Sequence, residues 1–540
     1  MSSANDDIIQ PRLKRFDAMK AHRSSFENHW DEVAQVATPK DYNFQTYFSP
    51  GVKRRTQQFD STAELSLRRA TSFYDSVTTP RNKRWHGLEA WAPELAKMDH
   101  IRQYYDQVEN VMFSMRYAPK AGYAGQRQSQ IHSLWAFGTA PMFVDMPSRI
   151  MRYKSVHLSQ FYMQENAHGI VDVGYNCLKM TVRQMMEMFG DSVPENLVKG
   201  ENSEPDRLYE VLHTCEPNKN PDPESLRPED RAFVSYYILN DEKKVLLDTT
   251  GYKNFPYSVS RDSQSTNEVY GRSVLMSVLQ TVKLLNQMKK TDIKAKHNSA
   301  TPPALMSDDG AVDPADLIPD RAVVGGLDRN GNPRVVPYLT GANHIVADNA
   351  IAAEQATVRE AFLLDLFINQ LEREATATEV LTRTQEQARI LAPMTGREES
   401  ESIGPMVERE YQLLEDAGLL PPMPPEIIEA QEQFRVRFTS PIANAQKADE
   451  AIGATQTLQA ALNAAQFDPK IMHKLKLDEY LEIQAEANST PWRMIASEEE
   501  YNAIIEGIAQ QEQEQSLMEN AQGLSQAGLN VANMEKVVNE

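Results

Sequence analysis

Three carboxylates, Glu372, Glu374 and Glu379, fall within the stretch EREATATEVLTRTQEQ (372–387). Carboxylates held close together could work as a general acid–base pair or contribute to a metal centre. Their spacing and the neighbouring arginines make ion pairs along a helix surface the commoner outcome, each contributing only about 0.3–0.5 kcal/mol. No histidine or cysteine stands in the stretch to complete a metal site. A second set is basic: Lys283, Lys289, Lys290, Lys294 and Lys296 gather toward one end of an apolar-striped segment. Motifs for other chemistry are missing. The chain has no G-x-x-x-x-G-K-[ST] phosphate loop, no H-E-x-x-H, no C-x-x-C and no G-x-S-x-G, and its histidines are scattered. Together these features favour a structural or binding role, without catalytic residues, metal or cofactor.

The bulk composition narrows this further. The chain has 540 residues, so two or more structural regions are expected around a sizeable core. Its formal net charge is −20. A module that grips DNA by its phosphates should be basic, so most of this surface should repel DNA. That excludes a simple DNA-binding module but not a protein that DNA slides past. Mean hydropathy is −0.54 and no run of about 18 apolar residues occurs, so no membrane-spanning helix is expected. The segment MSSANDDIIQ is polar and acidic, unlike a secretory signal. Cys177 and Cys215 are the only cysteines, which argues for a reducing compartment, or at least against a disulfide framework.

The elements that must position these residues follow from periodicity. Residues 11–37 read as an amphipathic helix, with Phe16, Met19, Phe26, Trp30 and Val33 returning to one face. Arg12, Lys14, Arg15, Lys20 and Arg23 cover the remainder, more simply as a solvated face than as a binding patch. Ser61 and Glu64 have capping-box spacing at the start of a helix that Pro80 ends, and Trp85 follows in a short extended segment. Residues 101–140 read as helical, punctuated by Gly138 and Pro141. From about 141 to 260, MFVDM, IVDVGYNCLKM and RAFVSYYIL are strand-like runs, and EPNKNPDPESLRPED is a surface loop, giving an α+β region.

A long helix is expected over 272–297, with Leu275, Val278, Val282 and Leu285 as its apolar stripe, stopped by Pro302 and Pro303. Residues 301–340 read as a small β tip, with DRNGNP as a hairpin-type turn. A second long helix is expected over 343–370, with Ile351, Val358, Phe362 and Leu366 on one face. Each helix would span about 40 Å, so the tip would lie far from the body and need neighbouring copies for burial. Thr376 and Glu379 again have capping-box spacing, although the same residues tolerate a continuous helix, so one helix or two stays open locally. Further on, a kink is expected at Pro393 and Gly396 and a stop at Gly418, FRVRFTSPIA reads as a strand, and 444–540 is helical with a polar tail.

The order of several segments resembles the head-to-tail connector, or portal, family of short-tailed podovirus bacteriophages. The segments are FDSTAELSLRRATSFYDSVTTPRNKRWHGL, WAFGTAPMFV, SVHLSQFYMQENAHGIVDVGYNCLKMTVRQMMEMFG, FPYSVSRDSQSTNEVYGRS, TATEVLTRTQEQARILAP, GLLPPMPPEI and VRFTSPIANAQKADE. Asp262 departs from the pattern, which would place an aromatic there. The resemblance implies a mainly helical α+β subunit. It has a wing (1–265 and 379–443), stem helices (266–297 and 341–368), a clip (298–340), a tunnel loop (369–378) and a crown (444–540). It implies a ring of identical subunits, usually a dodecamer, at one capsid vertex of a virion assembled in the bacterial cytoplasm. Double-stranded DNA would be pumped in by a separate terminase and ejected by the same channel, without sequence-specific binding and without a membrane. Implied partners are the major capsid and scaffolding proteins, the terminase large subunit and tail adaptor or nozzle proteins. Gln370, Glu372, Arg373, Glu374 and Thr376 would line the tunnel loop, and Asp308, Asp309, Arg321, Asp328 and Arg329 would form the clip's docking face. Lys289, Lys290, Lys294 and Lys296 would touch passing DNA or pair with acidic residues of the next subunit. Two rivals stand beside this: a helical scaffold or internal virion protein that forms no ring, and an enzyme with an α+β core.

Overall fold

The computed structural model describes residues 2–41, 44, 58–199, 206–222, 225, 227–306, 310, 312–317, 323–337, 344–364, 377–430, 434–487, 490, 494, 496, 500, 501 and 503–511. The chain forms two compact units. The first comprises Met1–Gly87, Val108–Pro421 and Ser440–Ile442, and the second Leu88–Gln107, Pro422–Thr439 and Ala443–Glu540.

Helix α1 (Ser2–Ala37) begins before the expected start and runs through Pro11. Of its expected apolar face, Phe16, Met19, Trp30 and Val33 are buried. Helix α2 (Thr62–Thr78) follows, but Ser61 makes no side-chain cap bond. The capping box is replaced because Ser61 is not extended (φ −98°, ψ 5°), so its hydroxyl cannot reach back into the first turn. Asp60 Oδ1 accepts from the Thr62 N–H instead (2.7 Å). After strand β1 (His86–Ala90), the expected single helix over 101–140 is two: α3 (Asp99–Arg116) and α4 (Tyr123–Phe137). The break falls before Gly122, at φ +73°, a backbone angle that favours glycine.

The α+β region is built from eight strands: β2 (Thr139–Asp145), β3 (Arg152–Ser155), β4 (Phe161–Glu165), β5 (Val171–Met180), β6 (Tyr209–Pro217), β7 (Phe233–Leu239), β8 (Lys244–Tyr252) and β9 (Tyr257–Arg261). They form a three-stranded sheet, β3-β2-β9, and a five-stranded antiparallel meander, β4-β5-β6-β7-β8. Side chains alternate across a strand, so each face of the meander can be covered separately. One face packs Tyr175, Leu212 and Ile238 beneath Ile9, Phe16 and Met19 of α1. The other packs Val211, Tyr237 and Leu239 against Val182, Met185 and Phe189 of the short helix Val182–Phe189.

A single turn of helix, Val274–Ser277, leads into α5 (Leu279–Ala300), which ends just before Pro302. Leu275, Val282 and Leu285 are buried as the stripe requires, and Val278 sits at the small break. Strands β10 (Ala304–Met306) and β11 (Val335–Pro337) pair antiparallel at the tip. Helix α6 (His344–Ala361) returns and stops short of the expected 370. The reason is tertiary. Phe362 is fully buried with its ring stacked on Trp135 (centroids 6.1 Å apart), and Leu364 is buried too. Leu363 accommodates both at φ +54°, a left-handed angle costly for a leucine. At 1.5 Å per residue the 22 and 18 residues of α5 and α6 span about 33 and 27 Å, less than the expected 40.

Helix α7 (Ala377–Glu398) continues through Pro393 and Gly396 without a break. The expected irregularity comes later, as a π-helical turn over Glu399–Ile403 that leads into α8 (Gly404–Asp416). In the second unit β12 (Phe434–Phe438) completes a two-stranded sheet with β1. Helices α9 (Pro441–Ala465) and α10 (Leu477–Ala487) are joined where Gln484 Nε2 donates to the Ala451 carbonyl (2.9 Å) and to Thr455 Oγ1 (2.8 Å).

Where α4 ends, two glycine backbones cross. Gly138 sits at φ +81°, and a Cβ there would lie 2.3 Å from the Gly271 carbonyl oxygen; a Cβ on Gly271 would meet Gly138 O at the same distance. Gly138→Ala is expected to destabilise the first unit by about 2–4 kcal/mol, combining a disfavoured angle with a backbone clash. The measurement is the urea midpoint of its unfolding transition.

Candidate functional site

The sequence-predicted residues fall on the arm formed by α5, the tip and α6, and on the segment after it. The arm leaves the body beside the glycine crossing. Ser273 Oγ accepts from the Met276 N–H (3.0 Å) and donates to the Ala136 carbonyl (2.9 Å), so the first turn is capped and tied to α4 at once. One polar cluster then seats both arm helices. Buried Asn286 interrupts the apolar face of α5, and its Oδ1 accepts from the N–H groups of Phe59 (2.8 Å) and Asp60 (3.1 Å). Asp60 Oδ2 accepts from Gln355 of α6 (2.7 Å). Sequence reasoning missed Asp60, Asn286 and Gln355. The signal available was a polar residue beside Leu285, on a face otherwise apolar.

The lysines of α5 are not one equivalent row. Lys283 pairs with Glu32 of α1 (2.6 Å). Lys290 lies over the Phe59 ring, 5.4 Å from its centroid. Lys296 bridges buried Asp292 (3.0 Å) and Asp348 of α6 (2.7 Å). Hydrogen bonds to Asp348 and Asp292 hold its ammonium above the usual lysine range. Lys289 is half-buried and Lys294 exposed. On α1 the basic face is also engaged within the chain. Arg12 and Arg15 pair with Glu216 (2.5 and 2.7 Å), and buried Arg23 donates to the carbonyls of Leu158 and Phe161.

At the tip, Asp328 and Arg329 occupy a tight turn. Asp328 Oδ1 accepts from the N–H groups of Asn330 and Asn332, both at 2.8 Å, and these bonds hold its carboxyl below the usual range. The turn carries its left-handed angle at Gly331 (φ +82°). Around it the tip leaves apolar side chains in water: Val324 is 84% and Leu327 64% exposed, and Leu305 and Val336 are exposed as well. Asp308, Asp309 and Arg321 lie outside the described residues, as do Gln370, Glu372, Arg373, Glu374 and Thr376.

Behind the arm, buried ion pairs fasten α7 and α8. Arg116 faces Glu410 with both side chains essentially inaccessible, and Tyr153 donates to the same carboxylate (2.8 Å). Burial works against the Arg116 charge, but Glu410 more than offsets it and holds the guanidinium above its ordinary range. Burial, together with the charge on Arg116, keeps His86 neutral, so its Nε2 accepts from Arg116 (2.8 Å). Arg127 pairs with Glu398 (2.6 Å), and Arg261 joins Glu401 and Glu165 (2.9 and 2.8 Å). Among the described residues no three His, Cys, Asp or Glu side chains are grouped to hold a metal ion. Among them, too, no helix is long and apolar enough to cross a membrane.

The family described as bacteriophage head to tail connecting protein matches residues 11–495. The portal protein of Salmonella phage epsilon15 is 25% identical over 525 residues, covering 95% of this chain and 93% of that protein. The probable portal protein of Bordetella phage BPP-1 is 26% identical over 491 residues, covering 88% and 86%. Among solved structures, the virion of a native gene transfer agent particle contains a chain 12% identical, with a TM-score of 0.35, covering 76% of this chain and 89% of that one.

Asn286→Ala would leave the Phe59 and Asp60 N–H groups without their acceptor. The expected loss is about 1–3 kcal/mol, measured as a lowered thermal midpoint of the purified chain.

Proposed function

The chain belongs to the bacteriophage head-to-tail connecting proteins, and from that membership we propose how its parts divide the work. It is a portal protein, a structural component of the virion at the capsid vertex where head meets tail. Identical subunits, twelve in number, close into a ring around an axial channel. Double-stranded DNA enters through that channel, driven by a separate terminase, and leaves through it into the tail. The first unit's sheets and the helices packed on them serve as the wing, the α5–α6 arm as stem and clip, and the C-terminal helices as the crown. Residues 369–378 are the tunnel loop. The clip docks the terminase large subunit during packaging and tail adaptor or nozzle proteins afterwards, and the outer surface meets the capsid and scaffolding proteins.

The observation that carries the ring is the tip. A two-stranded sheet on its own is marginal in water, and here it carries exposed Leu305, Val324, Leu327 and Val336 at the end of a helical arm. Contact with the same element of the next subunit would cover them. A scaffold that formed no ring would leave them in water. The net charge of −20 suits a wall past which DNA must move. Each strong phosphate contact would add affinity and slow the passage.

Negative-stain images of the purified protein are expected to contain rings of about twelve subunits with a central hole. A strictly monomeric protein at every salt concentration would overturn this, and ATP hydrolysis by the purified chain would favour the enzyme class. Deleting Arg373–Ala375 is expected to leave ring assembly intact while impairing DNA packaging or retention. Loss of rings in that variant would make the segment structural.

A further inference from the structure

Beyond α10 the chain is helical again at residues 500, 501 and 503–511, in the second unit. Every one of these residues is exposed. Four of them are large and apolar: Tyr501 is 56%, Ile504 55%, Ile505 45% and Ile508 47% exposed. Their spacing returns them to one stripe about 100° wide, while Glu506 and Gln510 fall on the opposite face. Gly507 lies within the segment, and a Cβ there would meet no atom within 4 Å. A helix this short, with a glycine in it, is marginal in water, because such helices draw their stability from packing an apolar face. The stripe therefore calls for an occupant.

Charge selects that occupant. Between Arg493 and Lys536 the sequence has eight glutamates and no lysine, arginine or histidine. One of them, Glu500, borders the stripe by its spacing. A neighbouring copy laid along the same helix would bring a second set of these glutamates and no base to meet them, and like charges across a contact cost binding. DNA and an anionic lipid surface are excluded for the same reason, since both are negative. Apolar residues flanked by lysines or arginines at helical spacing would both seal the stripe and pair with its acidic surroundings.

We propose that this stripe is a docking site for a basic amphipathic helix of another protein, which lays its apolar side on Tyr501, Ile504, Ile505 and Ile508 and sets its cations against the glutamates around them. The contact is separate from the one at the tip, since it belongs to the other unit of the chain, and it does not depend on ring closure. Its apolar part gives it strength, and its charges give it selectivity and a dependence on salt.

The probe is a fluorescently labelled peptide of about 18 residues, with leucines on one helix face and lysines on the other. Titrated with the full-length protein and followed by anisotropy, it is expected to bind, and to bind about tenfold more weakly to the double variant Ile504→Gln, Ile508→Gln. Both side chains are exposed, so the variant keeps the fold. A control peptide with glutamate at every lysine position is expected not to bind, and one with glutamine at every leucine position to bind about tenfold more weakly. Amides of 503–508 are expected to exchange fast in the protein alone and about tenfold slower with saturating lysine peptide. Failure of the lysine peptide to bind, undiminished binding to the double variant, or equal binding of either control would overturn the proposal. Slow exchange of 503–508 in the assembled protein without peptide would mean that a neighbouring copy covers the stripe, and would overturn it too.

Discussion

Much of the first unit hangs on one close approach of backbone to backbone. Gly138 and Gly271 cross with no room for a Cβ on either. Around the crossing, the Gly271 N–H donates to Thr139 Oγ1 (2.8 Å) and the Asp262 N–H to the Gly138 carbonyl (3.0 Å). Four things meet there: the end of α4, the start of β2, the exit of β9 and the launch of the arm. Ser273 ties the arm's first turn to α4 only because the two segments already touch. The arm's direction is thus set by sterics at two glycines, before any of its own packing counts.

Within the apolar core, charge taken inside fixes how parts of the body are placed. Among the described residues five arginines (Arg23, Arg116, Arg127, Arg261 and Arg409) and five carboxylates (Asp31, Asp60, Asp292, Glu398 and Glu410) are buried. The numbers match, so burial removes no net charge and the acidic excess stays on the surface. A buried pair adds little over apolar packing, but breaking one strands a charge. These pairs therefore set where α7 and α8 sit more than how stable they are.

How much of this was legible in the sequence depended on whether the deciding force was local. The α1 face, the strand runs and the helix–tip–helix order are periodic patterns, and they appear as read. The failures have tertiary causes. Ser61 lost its cap because Asp60, already drawn to Asn286 and Gln355, supplied the first-turn acceptor. Helix α7 continues through Pro393, and the π turn before Pro405 carried no periodic signal. The seat of the arm was invisible for the same reason: Asn286 finds partners more than two hundred residues away in the chain. The lysines were legible as a cluster but not as individuals, since partners on α1 and α6 divide them.

Leu363 shows how the end of one element can be set by another. Its neighbourhood, REAFLLDLF, contains neither glycine nor proline and would by itself continue as helix. The left-handed residue is tolerable only once Trp135 is in place to receive Phe362. The end of α6 is therefore written by a residue of α4, so a change at Trp135 would be felt in a helix to which Trp135 does not belong.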